Sequence, residues 1–190
     1  MQILNLAILS LGTLASAAPT LLPRDVSATQ YEISTLGTHF MGKNSGIADG
    51  SWPDSAKFNS TIQLTINYPA NNGINGSTPE STTCTGSWTN GTHPLGWNAC
   101  ENKDVGWKFT DFISEAKFTL VVGRITGEAS ADTGSVVIDS KAYASSDSWL
   151  ICLSGAPFTG IHCDLNGVLS PQKGPIPVVV TSGPGIGPFH

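Results

Sequence analysis

The side chains with the most chemistry to offer in this chain are four cysteines, Cys84, Cys100, Cys152 and Cys163. Their number is even and none falls in a Cys-x-x-Cys pair, so oxidation to disulfides is expected rather than metal capture. Four cysteines allow three pairings. Cys84–Cys100 and Cys152–Cys163 are favoured, because 15 and 10 residues intervene and each segment is short, polar and Gly-containing, able to fold back as a hairpin. Closing loops of this size stabilises a fold by about 3 kcal/mol each in the chain-entropy description. The competing use is a metal site that adds His93 and His162, but oxidation would remove its sulfur ligands. No metal and no cofactor are expected.

The other candidates for chemistry do not assemble into a motif. There is no Gly-x-Ser-x-Gly elbow, no His-Glu-x-x-His and no phosphate loop. Gly183-Pro184-Gly185-Ile186-Gly187 carries prolines and opens no helix, so it cannot cradle a phosphate. His39, His93, His162 and His190 are scattered among abundant serines. Glu101, Asp104, Asp111 and Glu115 cluster in sequence, and a glycosidase needs two carboxyls about 5.5 or 6.5–9.5 Å apart across a cleft. Glu101 and Asp104 fall in a polar turn after Cys100 and read as solvated loop charges. No catalytic residue is assigned, and the chain is expected not to be an enzyme. Five tryptophans remain. Trp107 alternates with Val105 and Phe109, the pattern of core packing. Trp88 and Trp97 lie inside the first cysteine loop beside Asn90-Gly91, and are the candidates for an exposed aromatic surface that stacks on sugar rings or binds an apolar ligand.

The N-terminal segment sets the compartment. Residues 1–18 hold an uncharged apolar stretch from Ile3 to Leu14, shorter than the roughly 20 residues that span a bilayer. The stretch ends in Ala15-Ser16-Ala17-Ala18, the small residues that a signal peptidase admits, so 1–18 is expected to be a signal peptide. Leu22-Pro23-Arg24 before Asp25 resembles a propeptide junction, and 19–24 either leave as a propeptide or stay as an uncut N-terminus. Export makes disulfides the default state. It also makes acceptors of the three Asn-x-Ser/Thr sites at Asn59, Asn75 and Asn90. The expected product is secreted, extracellular and free of the membrane. Charged residues are only 12% of the chain and the net charge is −5. A nucleic-acid partner is excluded on that balance, since it needs a basic stripe to displace counterions.

The elements that must position these residues are strands. From Phe58 to Tyr68, Phe58, Ile62, Leu64, Ile66 and Tyr68 alternate with Asn59, Thr61, Gln63, Thr65 and Asn67. Strict period two predicts a strand with one buried face and one wet face, with Asn59 on the wet side. Further strands are predicted at 31–38, 81–88, 105–112, 117–126, 135–142, 148–153 and 177–182. Asn-Gly and Asn-Asn-Gly turns fall between them. No segment carries a capped 3.6-residue period. Many short strands and two staples predict a single all-β domain over 25–182, an antiparallel β-barrel or sandwich. Residues 183–190 are expected to form a disordered Gly/Pro tail.

Thr83-Cys84-Thr85 opens the first loop and Gly96-Trp97-Asn98-Ala99-Cys100 closes it. Val105-Gly106-Trp107-Lys108-Phe109, Phe118-Thr119-Leu120-Val121-Val122, Leu150-Ile151-Cys152, Cys163 and Pro177-Val178-Val179-Val180-Thr181 come next along the chain. Over roughly 31–182 this pattern resembles the Alternaria major-allergen-like family of small secreted fungal proteins. The resemblance implies an antiparallel β-barrel with two neighbouring disulfides. It also implies a non-enzymatic allergen-like effector or elicitor that binds a host (plant) protein. A secreted binding module for a cell-wall carbohydrate or small apolar ligand is the alternative. Some members carry an extra cysteine near the mature N-terminus that could bridge two chains. Here no cysteine precedes Cys84, so no covalent dimer is expected. The segment from Pro69 to Glu80 and the Gly/Pro tail are also longer than the family pattern.

Overall fold

The structure is a computed structural model that describes residues 30–70, 78–89, 92–140, 148–187 and 189. The expected signal peptide (1–18), the 19–24 stretch, Asn75 and Asn90 lie outside the described residues. The chain forms ten strands among the described residues: β1 (Gln30–Phe40), β2 (Ser60–Tyr68), β3 (Glu80–Trp88), β4 (Asn98–Ala99), β5 (Val105–Ser114), β6 (Lys117–Gly127), β7 (Ser130–Asp139), β8 (Leu150–Ser154), β9 (Ile161–Leu165) and β10 (Ile176–Pro184). The one helical turn described is a 3-10 piece at Asp54–Ala56. No helix of the described residues is long and apolar enough to cross a membrane.

The strands pair antiparallel in the order β3-β2-β1-β10-β7-β6-β5-β4, and the sheet curls into a nearly closed barrel. β2 shows how sequence sets the curl. Ser60, Ile62, Leu64, Ile66 and Tyr68 are all buried, and Thr61 and Gln63 between them are exposed. Phe58 departs from the expected alternation. The ladder begins only at Ser60, so Phe58 is free to turn outward, where it stacks on His39 with centroids 4.4 Å apart. Asn59 is exposed, as its sequon requires. Trp107, Phe118, Ile33, Leu64, Ile66 and Leu120 are all fully buried in the interior.

Both expected disulfides are present, and the first has a different job from the one its spacing suggested. Cys152 and Cys163 are direct cross-strand partners in the β8–β9 hairpin, which lies against the second half of β1. Cys84 and Cys100 do not cap a hairpin. β3 and β4 are the two ends of the strand order, so this bond joins the free edges of the sheet and closes the barrel. The Glu101 amide donates to the Thr83 carbonyl at the same seam, 2.9 Å away. The short loop reaches across because the sheet has already rolled up.

One end of the barrel is plugged by a polar knot. Arg124 is buried, its guanidinium 4.3 Å from the Tyr68 ring and hydrogen-bonded to the Pro69 carbonyl. The Tyr31 hydroxyl donates to Asp132 at 3.0 Å. Burial, and then the Asp132 carboxylate, hold the Tyr31 phenol well above the ordinary tyrosine range. An unfolded chain sheds that proton from about pH 10, while the folded chain keeps it. The stabilisation is therefore full below about pH 10 and is lost as pH rises toward the folded value. Replacing Tyr31 with Phe is expected to flatten the alkaline fall of stability in urea melts run across pH. An unchanged slope would show that another group carries it.

The expected disordered tail is corrected over its described residues, 183–187 and 189. β10 continues through Pro184, with Gly183 and Pro184 paired to Ala131 and Ser130. The Gly185 amide then donates to the Ala129 carbonyl, and Phe189 is buried. A flat platform makes this docking feasible. Gly106 and Gly123 are cross-strand partners. A Cβ on Gly106 would fall 2.5 Å from the Phe189 ring, and one on Gly123 would fall 2.9 Å from Ile186.

Candidate functional site

The open end of the barrel, opposite the Arg124 knot, is where β1 ends, β2 begins, β3 ends and the β5–β6 turn lies. These ends surround a cavity of about 280 Å³. Its walls are Phe40, Trp88, Phe112 and His93, with Lys43 and Glu115 also on its lining. The floor continues into the core through ring contacts. Trp88 lies edge-on to Phe109 at 5.6 Å, and Phe112 stacks on Phe118 at 5.9 Å. His93 lies flat on Phe112, with centroids 4.6 Å apart and planes 14° apart.

A backbone irregularity builds this mouth. The β5–β6 register breaks between Thr110 and Ser114, and Asp111 takes a left-handed conformation with φ 50°. Asp is among the few residues that tolerate this region, and bulges re-aim side chains at barrel rims. Beyond the bulge Phe112 turns into the mouth and Ile113 stands on its lining at 67% exposure. Ser114 also belongs to the cavity lining, while its hydroxyl oxygen is buried beneath the surface with no hydrogen-bond partner among the described residues.

The fold scatters the residues singled out from sequence. Trp88 is 9% exposed, so it is not an open stacking face; only the cavity reaches it. Its position at the end of β3, paired with Ser60, turns it inward with the other buried residues of that strand. Trp97 is half-buried elsewhere, beside Phe189 at 4.9 Å and beneath the Lys108 ammonium at 4.8 Å. The two tryptophans therefore form no joint surface, because β4 carries its neighbour Trp97 to the outer side of β5 and β6. All four cysteine sulfurs are tied up in disulfides and cannot serve a metal. The acidic cluster is split. Asp104 precedes β5 and Asp111 lies near its far end, seven residues or about 23 Å of strand away, beyond the spacing of a glycosidase pair. Lys43, Phe112, Ile113 and Ser114 were not singled out from sequence. The signal that could have exposed them is Asp111-Phe112-Ile113, where an acidic residue breaks a strand and leaves adjacent apolar side chains on opposite faces.

No protein-family model, curated protein or solved structure matches the chain.

Proposed function

We propose that this is a secreted, non-enzymatic protein of the allergen-like effector or elicitor type, which grips a host protein through the barrel mouth. The observation that carries the reading is the aromatic cavity with Ile113 exposed on its lining. At about 280 Å³ the cavity lies just below the roughly 300–1,000 Å³ of ordinary small-molecule sites. It takes one ring or one branched side chain, the way an anchor residue of a protein partner enters a pocket. Lys43 and Glu115 add one charge of each sign, fitting the polar rim of such an interface. The two disulfides accord with an oxidising compartment. The expected signal peptide and the family resemblance also support export. A small apolar ligand in the same mouth is the second reading, favoured by the ring-lined walls of Phe40, Trp88, His93 and Phe112.

The test is infiltration of purified, glycan-free protein into plant tissue beside an Ile113→Glu variant. Ile113 is exposed, so the charge leaves the fold intact. Loss of an anchor contact is worth a factor of about ten or more in the dose that elicits a response. No response to either protein, together with no host protein retained on the immobilised chain, would defeat the effector reading. A change in Trp fluorescence on titration with phenolic ligands, abolished by His93→Ala, would favour the second.

A further inference from the structure

A second concave surface lies on the outer face of the barrel, beside the mouth, and its floor holds a strand glycine whose Cβ position packing leaves free. Gly37 sits inside β1 in ordinary extended backbone. A Cβ there would meet only the Asp164 carboxylate, at an ordinary 3.4 Å. At Gly86, by contrast, a Cβ would strike the Trp107 ring at 2.5 Å. Gly86 is required by packing and Gly37 is not. A strand glycine costs roughly 0.5–1 kcal/mol relative to alanine, and it marks a bulge, a bend or the close approach of a ligand or another backbone. Gly37 stands where β1 passes from β10 to β9, with open space on its outer side.

The register shows what would approach. Asp164, Gly37, Gln63 and Thr85 form one cross-strand row on the outer face of β9, β1, β2 and β3. The adjacent row carries His162, His39 and Thr61. All of these except His162, which stacks on His39 at the border, line a shallow trough of about 660 Å³ floored by Gly37. Gln63, Thr85, Thr61 and Asp164 are exposed and offer an amide, two hydroxyls and a carboxylate. No lysine or arginine lines the trough, and its one carboxylate repels anions. His162 and His39 stack with centroids 3.8 Å apart, and Phe58 stacks on His39, giving a ledge of flat rings.

We propose that this trough binds a linear chain of neutral, β-linked pyranoses laid across the four strands. Vicinal hydroxyls match the Asp164 carboxylate and the Gln63 amide, both of which can bond two adjacent groups. The interstrand step of about 4.8 Å is close to the advance of one β-linked sugar along its chain. The site shares no residue with the mouth and does not depend on the effector reading.

The test uses the full secreted chain, treated with endoglycosidase so that a sugar on the exposed Asn59, two residues before Thr61, does not compete. Cellohexaose, laminarihexaose and chitohexaose are titrated against the His39 and His162 ring signals in NMR, with an oligogalacturonate as the anionic control. At least one neutral oligosaccharide is expected to shift both histidines, and the anionic one to shift neither. Gly37→Val fills the floor and is expected to weaken binding at least tenfold at an unchanged melting temperature. Asp164→Asn, at an exposed position, is the second variant and should weaken binding severalfold even if the valine proves disruptive. The proposal fails if no neutral oligosaccharide moves the histidine signals, if the galacturonate binds as well, or if the folded variants bind like the parent.

Discussion

Trp107→Ala is expected to lower folding stability by about 3–5 kcal/mol, enough to leave a domain of ordinary stability largely unfolded at modest denaturant. Trp107 is fully buried, and its ring meets Phe109 edge-on at 5.1 Å in the middle of the barrel. Gly86 on the inner side of β3 makes the space for it. The indole N–H is itself buried with no partner among the described residues, so packing holds the ring there. Gly86→Ala should therefore cost about 1–3 kcal/mol by overpacking. The two positions must also couple. Shrinking the ring with Trp107→Phe should remove most of the Gly86→Ala penalty, giving an interaction energy of about 1 kcal/mol or more in a double-mutant cycle. Guanidinium melts of the four proteins decide it. Additive effects would mean that the ring does not rest over Gly86.

Removing the seam disulfide is the second large effect. Cys84→Ser with Cys100→Ser should cost about 3 kcal/mol from loop entropy. The Cys152→Ser/Cys163→Ser pair should cost nearly the same, because its loop is only slightly shorter. The two losses differ in their consequences. The second bond lies within a hairpin that pairing already aligns, at Cys152 opposite Cys163. The first joins the two ends of the strand order, so its removal frees β3 and β4 as open edges. Open edges recruit other chains. The seam variant alone is expected to lose hydrogen-exchange protection at the Glu101 amide, which bonds to Thr83, and to self-associate as its concentration rises. Equal association by both variants, or retained Glu101 protection, would show that backbone pairing alone closes the barrel.

The core and the seam differ in how much of each is written locally in the chain. The period of β2 was legible because a half-buried strand alternates one face at a time, and the two cysteine pairings because short loops favour near neighbours. β9 was not legible, although Ile161, Cys163 and Leu165 turn inward and His162 and Asp164 outward. Five residues are too few to raise a period above its surroundings, and a cysteine in the middle signals its sulfur before its strand. β7 begins at Ser130, earlier than expected, because Gly134 interrupts the apolar pattern where the Val179 carbonyl crosses close by. The Gly/Pro tail looked structureless for a related reason. Its partners are two glycines on other strands, and a missing side chain leaves no mark in a hydropathy pattern.

Strand class, covalent staples and the inward-facing set of β2 thus come from the order of residues along the chain, since each depends on neighbours a few positions apart. The mouth and the outer trough do not. Trp88 meets Phe40 and Phe112 only because three strand ends converge, and Gly37 lies beside Asp164 only through the β1–β9 register. Register between distant strands is chosen by the whole barrel burying its apolar faces at once, so side chains far apart in the chain became neighbours by a choice that no local pattern records.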